Sequence, residues 1–334
     1  MTLNRRGPRM ILDRRAVAAL LLSFVAPGGV FGQAVSKLPR IGILESDPTS
    51  KALESFRQGL HERGYFEGRN VEFEARWTHG VVATIPKLAE ELSRLRVDVI
   101  FAPTTPAALA AKEATRSIPI VFAVAADPVG SKLVATLAKP GGNVTGLTTL
   151  NIDVIPKRLE ILNELAGGQA RNWAVLFDPG DASNQLLLKT AEEHARQLGW
   201  VTRPFPVRSP SDFEDAFSAM VAAHMDAAIV SAGTLTIAHA KRLVDLAARS
   251  RIPAIYGSPE FVEAGGLVSY SGDFADNYRR AAGYVEKILK GARPEDLPVE
   301  QVQKLEFVLN QKTASALGLT VPHSLLLRVT RVID

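Results

Sequence analysis

The chain of 334 residues contains no cysteine. Disulfide bridges, thiol chemistry and cysteine-ligated metals are therefore excluded. Stability has to come from packed apolar residues, which make up 46% of the chain. A chain of this length predicts two lobes, each within the usual domain size of roughly 100–200 residues.

The sequence also lacks the common motifs of enzyme active sites. It has no Gly-x-Ser-x-Gly turn and no phosphate-binding loop that ends in Gly-Lys-Ser/Thr. The glycine runs at 141–146 and 265–266 each precede an apolar run and are typical of turns. The six histidines have no metal-ligand spacing. We therefore expect no catalytic residues, no metal and no cofactor, and an enzyme is the least favoured class.

Net charge is small over most of the chain. The formal charge is +4, but five arginines and a single acidic residue fall within residues 1–32. Beyond them, basic and acidic side chains are equal in number. A neutral body offers no basic surface for a phosphate backbone, so we expect no nucleic-acid partner.

The first residues resemble a targeting segment. Arg14 and Arg15 precede an apolar run at 16–26, and small residues follow at 28–34. That run is shorter than the ~20 residues that span a bilayer, but it fits the apolar core of a signal peptide. We predict a signal peptide over residues 1–33, exported by the Sec or the twin-arginine route. The mature protein would then be periplasmic. The alternative is an uncleaved membrane anchor.

From residue 40 onward, short apolar runs alternate with amphipathic stretches of helical period. This rhythm predicts parallel sheets with helices on both faces, an α/β fold of two doubly wound lobes. The two prolines of the run at 201–206 favour an edge position for that strand. The predicted strands fall into two sets of five, at 40–44, 71–77, 97–102, 120–124 and 144–147, then at 173–177, 201–206, 227–230, 254–256 and 267–270.

Several segments in order resemble one protein family. The longest is SIPIVFAVAADPVGSKLVATLAKPGGNVTGL at 117–147, and shorter matches are FRQGLHERGYFEG at 56–68, GGLVSYSGD at 265–273 and NQKTASALGLTVP at 310–322. They are similar to the ABC transporter substrate-binding family, which includes tryptophan- and aromatic-amino-acid-binding members. The resemblance covers nearly all of residues 38–323.

The resemblance implies a type I periplasmic-binding-protein fold. Lobe 1 would comprise residues 38–148 and 272–302, and lobe 2 residues 149–271 and 303–334. Three crossing segments would join the lobes near 147–155, 270–274 and 300–304. A ligand would bind between the lobes, hinge closure would follow, and a membrane permease would recognise the closed form of a monomer. A sensory receptor that feeds a membrane signalling protein is the alternative.

Loops at the carboxyl ends of parallel strands are where ligands bind in such folds. Thr105 is predicted to cap the helix that starts at Pro106, and its hydroxyl and the helix N–H groups could hold a carboxylate. Capping alone is the other interpretation for Thr105, and a simple turn is the other one for Asp127. The expected binding residues of lobe 1 are Ser46, Asp47, Thr104, Thr105, Ala126 and Asp127.

The second lobe offers a matching set of loops. Asp273 lies where the chain crosses back and suits a cationic or hydroxyl group, or it forms a hinge hydrogen bond instead. Tyr256 could stack on a planar ligand or belong to the core. The expected binding residues of lobe 2 are Asp178, Asn184, Ser231, Thr234, Tyr256, Glu260 and Asp273.

One departure from the family bears on the ligand. Amino-acid-binding relatives tend to carry Asp-Asn where this chain has Ala232-Gly233. The ammonium group of an amino acid needs a close carboxylate. The absence of this aspartate therefore weakens the case for an amino-acid ligand, unless Asp273 or Glu260 takes its place. An amino acid and another small carboxylate both stay open.

Overall fold

The computed structural model describes residues 1–2, 38–301 and 304–334. The predicted signal peptide lies outside the described residues, apart from its first two. Residues Leu38–Asp334 form one compact unit. No helix in the described part of the chain has the length and apolar character needed to cross a membrane.

A parallel sheet forms from the first five strands. Its strand order is β5-β4-β3-β1-β2, and all the pairings are parallel. Helices on both faces bury most of β1, β3, β4 and β5, whereas the edge strand β2 stays partly exposed. The strands are β1 (Arg40–Glu45), β2 (Glu72–Trp77), β3 (Val99–Phe101), β4 (Ile120–Ala125) and β5 (Val144–Thr148), and the intervening helices are α1 (Lys51–His61), α2 (Ile85–Arg94) and α3 (Thr105–Ala114).

Five further strands build the second sheet, in the order β10-β9-β8-β6-β7. β7 lies at the edge, as its prolines predict. The strands are β6 (Asn172–Phe177), β7 (Val201–Pro206), β8 (Ala227–Val230), β9 (Ala254–Tyr256) and β10 (Val268–Gly272), and the helices are α4 (Ile155–Leu165), α5 (Ala182–Gln197), α6 (Phe213–Ala222), α7 (Thr234–Ala238), α8 (Ala240–Ser250) and α9 (Pro259–Glu263).

The remaining elements return to both sheets. Helix α10 packs on α1, β11 extends the first sheet beside β5, and β12 runs antiparallel to β10 with β13 beyond it. The chain therefore passes from one sheet to the other three times, after β5, after β10 and after β11. In the third crossing, residues 302 and 303 lie outside the described range. The elements are α10 (Phe274–Leu289), β11 (Glu300–Gln301), β12 (Leu305–Asn310), α11 (Gln311–Ala316), α12 (His323–Leu326) and β13 (Arg331–Ile333).

Each sheet has one apolar cluster on each face. Phe56 and Phe101 stack at 3.9 Å between α1 and the first sheet, and Ile100 and Phe122 face α2 and α3 on the other side. In the second sheet the two clusters contain Trp173 and Phe213 respectively. This layering confirms the predicted α/β class with helices on both faces. The residue limits of the two lobes stay a prediction.

Buried Arg158 of α4 links the segments that pass between the sheets. Its side chain is inaccessible to solvent, and its Nε donates to the carbonyl of Tyr270 at 2.7 Å. Its two terminal nitrogens donate to the carbonyl and the side-chain oxygen of Asn151. Asn151 precedes α4 and Tyr270 lies in β10, so one guanidinium joins the first and second crossings. Burial lowers the pKa of Arg158 to about 9, which leaves it protonated at neutral pH.

Candidate ligand-binding site

A cavity of about 290 Å³ lies where the carboxyl ends of the two sheets meet. This volume is at the low end of the ~300–1,000 Å³ that is typical of small-molecule pockets. One wall comes from the loops after β1, β3 and β4, and the other comes from the segments after β6, β8 and β9. The position agrees with the general rule for doubly wound sheets.

Seven of the expected binding residues line this cavity. Together they bring hydroxyl and carboxylate groups from both walls to one place. They are Ser46, Asp47, Thr104, Thr105, Ala126, Thr234 and Glu260. That they contact a ligand stays a prediction.

The predicted cap of α3 was wrong by one residue. The side chain of Thr104 accepts from the N–H of Ala107, so Thr104 is the N-cap and Thr105 begins the helix. The Thr105 hydroxyl instead accepts a long bond from the N–H of Ala126 at 3.4 Å. Pro106 occupies the second helical position, where its missing N–H costs nothing. Both threonines still border the cavity.

Two expected aspartates are used within the fold and do not line the cavity. Asp127 accepts from the N–H of Gly130 at 2.8 Å, which is the turn that we gave as its alternative role. Asp273 caps α10 through the N–H of Asp276 and pairs with Lys304 at 2.7 Å. It therefore forms the hinge contact that was its alternative interpretation.

Four further expected residues, which lie in β9 or in the segments after β6 and β8, are also absent from the cavity lining. Tyr256 is 1% exposed and stacks on Phe261, with the ring centroids 4.8 Å apart. Asp178 accepts from the N–H of Gly180 at 2.8 Å. Ser231 and Asn184 are buried, and neither the Ser231 hydroxyl nor the Asn184 Nδ2 has a hydrogen-bond partner among the described residues.

Glu45 and Tyr278 were missing from the expected site and form its most buried polar contact. Glu45 ends β1 and is 7% exposed. Its carboxylate accepts from the Tyr278 hydroxyl at 2.8 Å and from the N–H of Ser46 at 2.6 Å. Burial raises the pKa of Glu45 in spite of these bonds. The position of Glu45 at the end of a buried strand could have indicated it, whereas Tyr278 comes from α10, far along the chain.

The facing wall carries two more carboxyl groups, of which Glu260 is half-buried and Asp181 is buried. Burial raises the pKa of Glu260 to about 7, and the neighbouring charges of Glu263 and Glu306 act in the same direction. Asp181, the N-cap of α5, is 5% exposed and accepts from the N–H and the hydroxyl of Ser183. Burial raises the pKa of Asp181 as well.

Contacts between the two walls close the cavity. The Lys51 ammonium lies 2.6 Å from a carboxylate oxygen of Glu263, so α1 is joined to α9. Gly80, after β2, packs so closely on α7 that a Cβ at its position would lie 2.6 Å from the Cβ of Ala238. The two sheets therefore approach each other on either side of the cavity, as expected of a closed receptor.

Two α/β lobes with a cavity between the carboxyl ends of their sheets define the class of type I periplasmic binding proteins, and close structural matches support this assignment. The profile of the family described as "ABC transporter substrate binding protein" matches residues 40–333. The chain belongs to this family.

Among individual relatives, the chain is 27% identical over 287 residues to the tyrosine-binding protein of Clostridioides difficile, which covers 85% of this chain and 82% of that protein. It is also similar to an ABC domain from Streptococcus pneumoniae solved in complex with L-Trp, at 26% identity and a TM-score of 0.82. The match covers 89% of this chain and all of that one.

A ligand-free, open structure gives a contrast. It is a substrate-binding protein with adhesive properties from Clostridium difficile, and it is 25% identical to this chain. The match covers 89% of this chain and all of that one, but the TM-score is only 0.61. The present structure is closer to the relative with bound ligand, in agreement with its closed cavity.

Proposed function

We propose that this protein is the exported receptor of an ABC importer, which closes around one small polar solute and presents it to a membrane permease. The observation that carries the proposal is the cavity between the sheets, lined with polar groups from both walls and closed by the contact of Gly80 with Ala238. Membership of the substrate-binding family supports the same role. The proposal includes the periplasmic location, a monomeric state and no chemistry of its own.

The ligand class proposed is an amino acid or a related small amine or carboxylate. One relative is named as a tyrosine-binding protein, and another was solved in complex with L-Trp. In this chain Ala232 and Gly233 provide no charged group to the cavity, but Glu260 lines it from the same wall. A carboxylate for an ammonium group is therefore available from another element.

Thermal unfolding of the mature protein, from about Gln33 onward, tests this function. A ligand that binds only the folded form stabilises it by RT ln(1 + [L]/Kd), about 2.7 kcal/mol at a hundredfold excess over Kd. We expect a shift with one chemical class from a library of amino acids, amines and small carboxylates. Thr105→Ala should reduce that shift, whereas the exposed Thr320→Ala should not. A library without any hit would contradict the proposal.

A further inference from the structure

The charged side chains that line the cavity are mostly acidic. Among the described residues it includes five carboxylates and a single basic side chain, Lys51, whose ammonium is already paired with Glu263. Asp47 is satisfied locally, by the N–H and the hydroxyl of Thr49 at 2.7 Å each. The carboxylates that border the cavity are Glu45, Asp47, Asp181, Glu260 and Glu263.

Three of these carboxylates have no basic partner within the described part of the chain. Glu45, Asp181 and Glu260 form no ion pair there, and their hydrogen bonds come from hydroxyl and backbone N–H groups. Removing a carboxylate from water without a nearby cation is costly. Burial accordingly raises the pKa of all three. Lys51 is the one basic side chain that lines the cavity within the described part of the chain, and its ion pair is with Glu263, so a cationic ligand can supply the partner that these three carboxylates lack.

Glu45 and Glu260 face the cavity from opposite walls. Both act on one side chain, because burial and then the charges of these two carboxylates raise the pKa of Tyr278. Two carboxylates from opposite walls therefore lie within electrostatic range of one side chain that lines the cavity. An ammonium group held between the walls would be attracted by both carboxylates.

A separate observation also indicates a polar ligand. Thr78 follows β2, is 4% exposed and borders the cavity, yet its hydroxyl has no hydrogen-bond partner among the described residues. Buried hydroxyl groups are almost always hydrogen-bonded in native proteins. A ligand in the cavity would supply the missing bond.

We propose that the cavity selects a small organic cation, a basic amino acid or an amine, whose ammonium groups lie among Glu45, Asp181 and Glu260. This inference rests on the proposed function and makes its substrate class narrower. The carboxylates are spread over both walls, and among the described residues no group of three or more acidic or histidine side chains could hold a metal ion. An extended organic amine fits this distribution.

Calorimetric titration with matched ligands tests the charge requirement. L-lysine and L-norleucine have side chains of similar length, but only lysine carries the second ammonium group. We expect lysine to bind at least about tenfold more tightly, because truncating one partner of a desolvated charge pair commonly costs that much or more. Putrescine, which has no carboxylate, distinguishes an amine receptor from one for basic amino acids.

Charge-removing variants assign the effect to the site. Glu260→Gln and Asp181→Asn should each weaken binding of the tighter ligand, L-lysine or putrescine, at least about tenfold. The exposed Glu295→Gln serves as the control and should leave binding unchanged. Circular dichroism of each variant shows whether it is folded.

The pH dependence provides an independent readout. Glu260 faces Glu263 from its own helix, Glu306 from β12, Lys51 from α1 and Tyr278 from α10. Because a cation stabilises the ionised carboxylate, lysine or putrescine should bind more tightly as pH rises from 5.5 to 8. A neutral ligand should show the opposite trend, since closure around it favours protonated Glu260.

The outcomes separate the two proposals. If L-norleucine, L-tyrosine or L-tryptophan binds at least as tightly as the cations, or if Glu260→Gln does not weaken binding of a cation, the inference is overturned and the proposed receptor function stands. If neither the cations nor any member of the wider library binds, both proposals fail.

Discussion

Lys51, the first residue of α1, and Glu263, the last residue of α9, form an ion pair of 2.6 Å that joins the two walls of the ligand cavity. The Lys51 side chain is 78% exposed, and Glu263 also binds Arg331 at 3.1 Å. An exposed pair of this kind contributes little free energy, because water and salt screen it. The closed form therefore depends mainly on the ligand and on the packing between the walls, so a receptor of this design can open again.

Replacing Lys51 with methionine tests the contribution of this ion pair. We expect affinity for the best ligand of the library to fall by no more than about fivefold, which corresponds to the ~0.2–1 kcal/mol that an exposed pair contributes. Titration calorimetry at low and at high ionic strength measures it, and the difference from wild type should shrink at high salt. Lys189→Met removes an exposed lysine that pairs with Glu193 within α5 and is the control. A hundredfold loss would show that Lys51 contacts the ligand itself.

Gly80→Ala should weaken ligand binding by preventing full closure. The added Cβ would lie 2.6 Å from the Cβ of Ala238 on the opposite wall. Gly68→Ala is a matched control, because both glycines have a left-handed backbone, with φ of +77° and +75°, but nothing lies within 4 Å of a Cβ at Gly68. Both variants should lose about 1–2 kcal/mol of folding stability, and only Gly80→Ala should lose affinity, at least about tenfold. Equal affinities in calorimetry would contradict the closed arrangement of the two walls.

Glu260→Gln should stabilise the ligand-free protein in a pH-dependent manner. The pKa of Glu260 is about 7 in the folded chain, against an ordinary value of 4.5. Between these values the folded state holds a proton that the unfolded chain has lost, so the free energy of unfolding falls as pH rises through this interval. Glutamine does not titrate, so the Glu260→Gln variant should not lose this part of the free energy of unfolding as pH rises. Urea unfolding should show a gain of about 1–3 kcal/mol at pH 8 and almost none at pH 4.5. A gain that is the same at both pH values would exclude titration of Glu260 as its cause.

The rhythm of strands and helices was enough to predict the fold. Apolar runs at regular spacing specify parallel strands with helical crossovers, and the two prolines within β7 predict its position at an edge of the sheet. The same reasoning predicted which loops border the cavity, but not which of their side chains face it. Successive side chains point in different directions after a strand ends, so Ser231 is buried within the fold while Thr234, three residues later, borders the cavity.

The charge of the site could not be predicted from the sequence. Asp181 resembles an ordinary helix cap, and that role is compatible with a position on the cavity wall. Tyr278 lies 233 residues beyond Glu45 and meets it only because α10 returns to the first sheet. Ala232 and Gly233 indicated a less cationic ligand when considered alone. The carboxylates from other elements reverse that indication, which led to the further proposal above.

Arg158→Lys should destabilise the protein more than any other single change considered above. The Arg158 guanidinium is fully buried and donates to the Tyr270 carbonyl and to Asn151, so a lysine at this position would leave acceptors unpaired in two crossing segments. Each unsatisfied buried group costs about 1–3 kcal/mol, and we expect a total loss of about 2–5 kcal/mol in urea unfolding. Lys157→Met alters the exposed neighbour on the same helix and should change the stability by less than about 0.5 kcal/mol. If Arg158→Lys unfolds at the same urea concentration as wild type, the guanidinium is not needed to join the crossings.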